Sequence, residues 1–329
     1  MLGNSIYRIV VALLLVGPHS LALAVGPTLP LPALNIFTIV MSNHDYNEIV
    51  GSANAPYINS LIASYGLATN YLDAGHPALP NYLYLVSGAT QYPGVIDVSP
   101  TTAPYFPVSA DNLGNQFQLA GIAWRSYQEG MGTGCKLSAS GNYTPVHDPF
   151  LYFTDIQLPS SLCVATNRDY SEFASDLAAG TYRYMWISPN LLNSGHDPFN
   201  DPVAALQASD TWLSTEIPKI LASSAFKSGG VIFLTWDQAE GRNGDSPDKV
   251  PMIIIPSAVK TAGFTSSHAY NHASYLATIE DIFGLPRLGA AVGADNMMEF
   301  LPPPSPLLQS AESRKAHGAA GTFGLTLAP

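Results

Sequence analysis

The chain reads as an α/β fold on a mostly parallel central sheet, with helices on both faces. Three observations carry that expectation. Short apolar, β-branched runs alternate with longer helical patterns between about residues 35 and 300. The short runs are apolar throughout, as strands buried on both faces are. No repeat and no linker composition interrupts the alternation, so one domain is expected over 35–301.

The elements follow in order. Asn35–Met41 (NIFTIVM) is the first strand, and Tyr46–Tyr65 carries the first helical pattern. Pro80–Ser87 and Asp111–Leu119 are the next helices, and Gly121–Trp124 is the second buried strand. Tyr170–Leu177 is helical, Tyr182–Ile187 a strand, and Pro202–Ser223 the longest helix. Val231–Trp236 and Met252–Ile255 are the last strands, and Ser274–Phe283 closes the pattern as a helix.

The ends differ from the middle. Arg8 precedes an apolar run, Ile9–Val16, and Ala22-Leu23-Ala24 fits the small-x-small cleavage rule. The run is too short to span a bilayer and Gly17-Pro18 breaks it, so residues 1–24 are expected to be a signal peptide and 25–34 a linker. The expected location is secreted or periplasmic, with no membrane span in the mature chain. In an exported chain the only two cysteines, Cys135 and Cys163, form one disulfide. Asn142-Tyr143-Thr144 is a glycosylation sequon if the source is eukaryotic. Residues 302–329 read as a loose tail.

Charge narrows the partners. Lys plus Arg is 13 against Asp plus Glu 24, a net charge of −11. A compact acidic protein repels phosphate backbones, which argues against nucleic acid as a partner. In open α/β sheets, ligands bind beyond the carboxyl ends of the strands. Ser42-Asn43-His44-Asp45, Asp237-Gln238, and Ser188-Pro189-Asn190 leading to His196-Asp197 all fall there.

Seven segments stand in order: MSNHDYNEIVG (41–51), HPALPNYLYLVSG (76–88), SYQEGM (126–131), PVHDPFLYF (145–153), ISPNLLNSGHD (187–197), FLTWDQ (233–238) and YNHASYLATIEDIFGL (270–285). Together they resemble the phosphoesterase family of acid phosphatases and bacterial phospholipases C, related to alkaline phosphatase. The resemblance implies an alkaline-phosphatase-like fold, secretion, and hydrolysis of phosphoric monoesters or diesters with a bound divalent metal. By the same resemblance Asn43 and Asp237 match metal-binding positions. His147 and His196 match the histidines that contact phosphate or protonate the leaving group, with Asp197 orienting His196. His76, Asn81 and Lys249 are candidate substrate contacts.

Four departures fall at the chemistry. Ser42 and Gln238 stand where the resemblance implies metal-binding acids, Ala78 where it implies a nucleophile, and Lys249 where it implies a histidine. Alanine has no oxygen, so covalent catalysis at position 78 is impossible. One carboxylate and an amide make a poor cage for a hard divalent cation. Lys249 is expected to substitute for part of the cation's charge and hold an anion. Plainer readings stand beside these. His76-Pro77 is a turn before a helix, Asn81 a cap, His272 structural, and His44-Asp45 a helix cap. Glu240, Asp245 and Asp248, with Arg242 and Lys249, form either a solvated loop or a rewired metal site. Three functions remain open: a metal-dependent phosphoesterase, a catalytically impaired relative that binds a small phosphorylated or anionic molecule with no cofactor, and an interaction protein with an empty pocket.

Overall fold

The computed structural model describes residues 34–302, apart from 93, 95, 242–248 and 260. The expected signal peptide, linker and tail lie outside the described residues, save Leu34 and Pro302. In chain order the elements are β1 (Asn35–Met41), α1 (Tyr46–Ile49), α2 (Pro56–Ser64), β2 (Gly66–Ala68), β3 (Tyr71–Leu72), α3 (Ala78–Ser87), α4 (Leu113–Ala120) and β4 (Trp124–Gln128). There follow α5 (Thr154–Gln157), α6 (Ser160–Thr166), β5 (Asn167–Asp169), α7 (Phe173–Ala179), β6 (Tyr184–Ser188), α8 (Pro202–Ala222) and α9 (Ser224–Lys227). The chain then runs through β7 (Gly230–Trp236), β8 (Met252–Pro256), β9 (Phe264–Ser266), β10 (Tyr270–Asn271) and α10 (His272–Phe283).

The main sheet has the order β5-β4-β6-β1-β7-β8-β2-β9. Every neighbouring pair is parallel except the two that β8 makes with β7 and β2. The apolar runs explain the centre of this order. All seven residues of β7 and all five of β8 are buried. Neighbouring residues of β1 show that both faces are covered, because successive side chains on a strand point oppositely. The Thr38 hydroxyl meets Tyr275 of α10 at 2.7 Å. Phe37 packs on Phe226 of α9.

Several expected bounds shift by a few residues, and two of the shifts have a clear cause. The helical pattern over Tyr46–Tyr65 is divided into α1 and α2, because Gly51 takes φ +81° and Pro56 restarts the helix at its first position. The strand expected at Gly121–Trp124 begins only at Trp124, because Gly121 takes φ +66° as the C-cap of α4. Cys135 and Cys163 are bonded, with a sequence separation of 28. No helix among the described residues is long and apolar enough to cross a membrane.

Candidate active site

The carboxyl ends of β1 and β7 lie side by side in register, Met41 opposite Trp236. The residues that leave these strands therefore meet. Asn43 has φ +58°, a conformation asparagine adopts more readily than most residues, and this turns the chain across the sheet end. Its backbone N–H donates to Asp237 Oδ1 at 3.2 Å, and the Gln238 N–H donates to the same oxygen at 2.7 Å. The Ser42 hydroxyl donates to Asp237 Oδ2 at 3.0 Å. Gln238 Nε2 donates to Asn43 Oδ1 at 2.9 Å and to Glu240 Oε1 at 3.0 Å. All four residues are buried.

This donor set does not fit the divalent cation implied by the resemblance. The Asp237 carboxylate already accepts three hydrogen bonds from the protein. The two positions expected to carry acids supply a hydroxyl proton and an amide N–H instead, both pointed inward. Among the described residues no group of three or more His, Cys, Asp or Glu is placed to hold a metal. Burial lifts the Asp237 carboxyl well above its ordinary value, against the pull of its backbone and hydroxyl donors.

His272, at the start of α10, braces this cluster from behind. Its Nε2 lies 2.8 Å from the Asp237 carbonyl oxygen and its Nδ1 lies 2.8 Å from the Tyr71 hydroxyl. Its burial pushes it down to about 4, so it is neutral and structural at ordinary pH. Asp45 caps α1 in a box with Glu48, and its Oδ1 also accepts from the backbone of Glu240 and Gly241. Arg242, Asp245 and Asp248 lie outside the described residues.

A second group of residues comes from α3 and from the loops after β4 and β6. Ala78 opens α3 with a methyl group and is buried. Tyr82, one turn further along that helix, stacks on His147 with ring centroids 5.1 Å apart. His147 and His196 are 6.3 Å apart between centroids. Burial, and then His196, push His147 down to about 3. It is therefore neutral at pH 7 and serves as a hydrogen-bonding group, not as a fixed cation. His196 is half-buried, and its Nδ1 lies 3.0 Å from Asp197 Oδ1. That bond orients the ring. Gly195 permits the close approach of this loop. At φ +92°, a Cβ there would meet Ser209 Oγ at 2.7 Å and His44 Cδ2 at 2.9 Å.

Three expected contacts have other surroundings. His76 is exposed at the loop before α3. The Asn81 carboxamide is engaged at both ends by that loop: Oδ1 accepts from the Ala74 N–H at 2.6 Å, and Nδ2 donates to Pro77 and Gly75 carbonyls. The Lys249 ammonium lies 4.0 Å above the centroid of the Tyr46 ring.

Two residues of this site are not among the candidates named from the sequence. Asp97 Oδ1 accepts the Leu79 N–H at 2.8 Å, at the first turn of α3, and its charge acts on both His196 and Asp237. The Tyr82 hydroxyl is fully buried and has no hydrogen-bond partner. In sequence, Tyr82 belongs to an apolar helix and reads as core. The only hint of Asp97 was that Pro77 leaves α3 without a capping side chain.

The chain is 26% identical over 262 residues to a phosphatidylinositol-3-phosphatase of Mycobacterium tuberculosis, spanning 79% of this chain and 80% of that one. It is 27% identical over 279 residues to a probable acid phosphatase of Kluyveromyces lactis, spanning 80% of this chain but 62% of the yeast protein. Among solved structures, a protein of the alkaline phosphatase superfamily from Vibrio parahaemolyticus matches with a TM-score of 0.57 at 12% identity, over 83% of this chain and 73% of that one. A phosphonate monoester hydrolase of Agrobacterium radiobacter matches with a TM-score of 0.53 at 14% identity, over 82% and 77%. These two likenesses establish an alkaline-phosphatase-like fold. The family model for the Phosphoesterase family matches residues 38–286, which is most of the chain, and the chain belongs to that family.

Proposed function

We propose that this pocket recognises a small phosphoric ester and that the chain has lost rapid hydrolysis of it. The reading is carried by Ala78, which opens α3 at the matched nucleophile position with no hydroxyl to attack phosphorus. In a hydrolase with a serine nucleophile, losing that serine costs about a millionfold in turnover. The hydrogen-bonded cluster supports the same conclusion, since its donors occupy the lone pairs a cation would need. The partner is a small phosphorylated or related anionic molecule. The N-terminal sequence pattern supports an exported protein.

A second reading, slow hydrolysis by water, is favoured by one observation. The His196–Asp197 pair at 3.0 Å is oriented to pass a proton to a leaving oxygen. The experiment that separates them uses a chromogenic aryl phosphate, with and without divalent metals. The wild type is expected to stay at background. The triple variant Ser42→Glu, Ala78→Ser, Gln238→Glu is expected to gain metal-dependent turnover. Wild-type turnover that disappears in His196→Ala would establish the second reading. Metal-dependent wild-type turnover that disappears in Asp237→Ala would overturn the proposal.

A further inference from the structure

The first turn of α3 is held by a carboxylate from the loop that follows it. The ten-residue helix begins at Ala78, and Pro77 before it offers no side-chain cap. Its first backbone N–H groups therefore need an outside acceptor, and such a helix end favours an anion. In this structure the acceptor is the Asp97 carboxylate, which takes the N–H groups of Leu79, at 2.8 Å, and of Ala78.

A second, independent observation points to a ligand at the same place. Tyr82 lies four residues after Ala78, on the same side of the helix. Its hydroxyl is fully buried, has no hydrogen-bond partner, and lies within electrostatic reach of Asp237 and Asp97. A buried hydroxyl left unpaired costs about 1–3 kcal/mol, so a donor in this position calls for an acceptor that the protein itself does not supply. His196, whose Nδ1 is engaged by Asp197, is within electrostatic reach of Asp97.

We propose that the α3 N-terminus and the Tyr82 hydroxyl seat an anionic oxygen of the ligand, and that Asp97 is a built-in competitor for that seat. The proposal rests on the phosphoric-ester reading of the pocket. Asp97 is suited to yield. It is solvent-exposed, follows Ile96, which is 69% exposed, and holds α3 through these backbone contacts. A side-chain rotation frees the helix end. Two anions cannot share it, so ligand affinity is lowered by the work of displacing the carboxylate.

The test is isothermal titration of inorganic phosphate and of phenyl phosphate into the full-length wild type, Asp97→Ala, Asp97→Asn and Asp97→Ala/Tyr82→Phe. Asp97→Ala is expected to bind at least tenfold tighter than wild type, with Asp97→Asn between them. Adding Tyr82→Phe is expected to return a several-fold loss. Melting curves with and without phosphate keep the test valid if Asp97→Ala lowers stability, because phosphate is then expected to raise its Tm more than that of the wild type. Equal or weaker binding by Asp97→Ala, with the wild type still binding, would overturn the competitor alone. Binding indifferent to Tyr82→Phe would place the anion elsewhere and overturn the seat. Absence of binding by every variant would overturn the seat and the phosphoric-ester reading together.

Discussion

Asp148 allows a prediction whose size follows from its surroundings. It follows His147 directly and is fully buried. Its Oδ1 accepts the Ser126 hydroxyl of β4 at 3.0 Å, which ties the His147 turn to the sheet, while its Oδ2 has no partner. Burial pushes its carboxyl up from 3.8 to about 7. The folded state thus keeps a proton that the unfolded chain has already released above pH 4. A raised carboxyl contributes stability at low pH that is lost as pH rises through the folded value. From pH 5 to pH 8 the loss spans two units, from 5 to about 7. At 1.36 kcal/mol per unit this is about 3 kcal/mol, or roughly 5–10 °C in Tm for a domain of this size. Asp148→Asn keeps the shape and removes the titration. Urea and thermal melts of both proteins at pH 5, 6.5 and 8 isolate the effect, because the other buried groups are common to the pair. Asp148→Asn is expected to gain about 3 kcal/mol on the wild type between pH 5 and 8. Parallel pH profiles would refute the reasoning.

Two further outcomes are expected. Tyr71→Phe leaves His272 Nδ1 without its 2.8 Å partner in a buried site, and should cost about 1–3 kcal/mol; an unchanged urea midpoint would contradict the bracing role given to His272. Replacing both Cys135 and Cys163 by serine opens the 28-residue span and should cost roughly 3–4 kcal/mol under non-reducing conditions. A wild type equally stable with and without reductant would show that the bond contributes nothing.

Much of the fold was legible because strand burial is written locally. The seven residues of β1 match the expected Asn35–Met41, and β7 and β8 each differ from the sequence reading by one residue at one end. Their apolar runs have one plausible use, the centre of a covered sheet. Two of the boundaries that moved did so where one residue overrides periodicity: Gly51 with Pro56, and Gly121. The direction of β8 was not legible, because a fully buried strand has the same pattern whichever way it runs.

The sequence by itself determined which side chains stand at the positions the resemblance matches. Ala78, Ser42 and Gln238 are facts of composition at matched positions, and no folding can add an oxygen to alanine or a charge to glutamine. Only the tertiary structure decided what those residues do instead. Gln238 reaches Asn43 across 195 positions of chain, and Ser42 reaches Asp237 across as many. Burial makes His147 and His272 neutral. Asp97 arrives at the α3 terminus from a loop that carries no motif. Hydrogen-bond partners and loss of solvent are properties of a residue's neighbours in space, and they exist only once the strands have brought distant loops to one edge of the sheet.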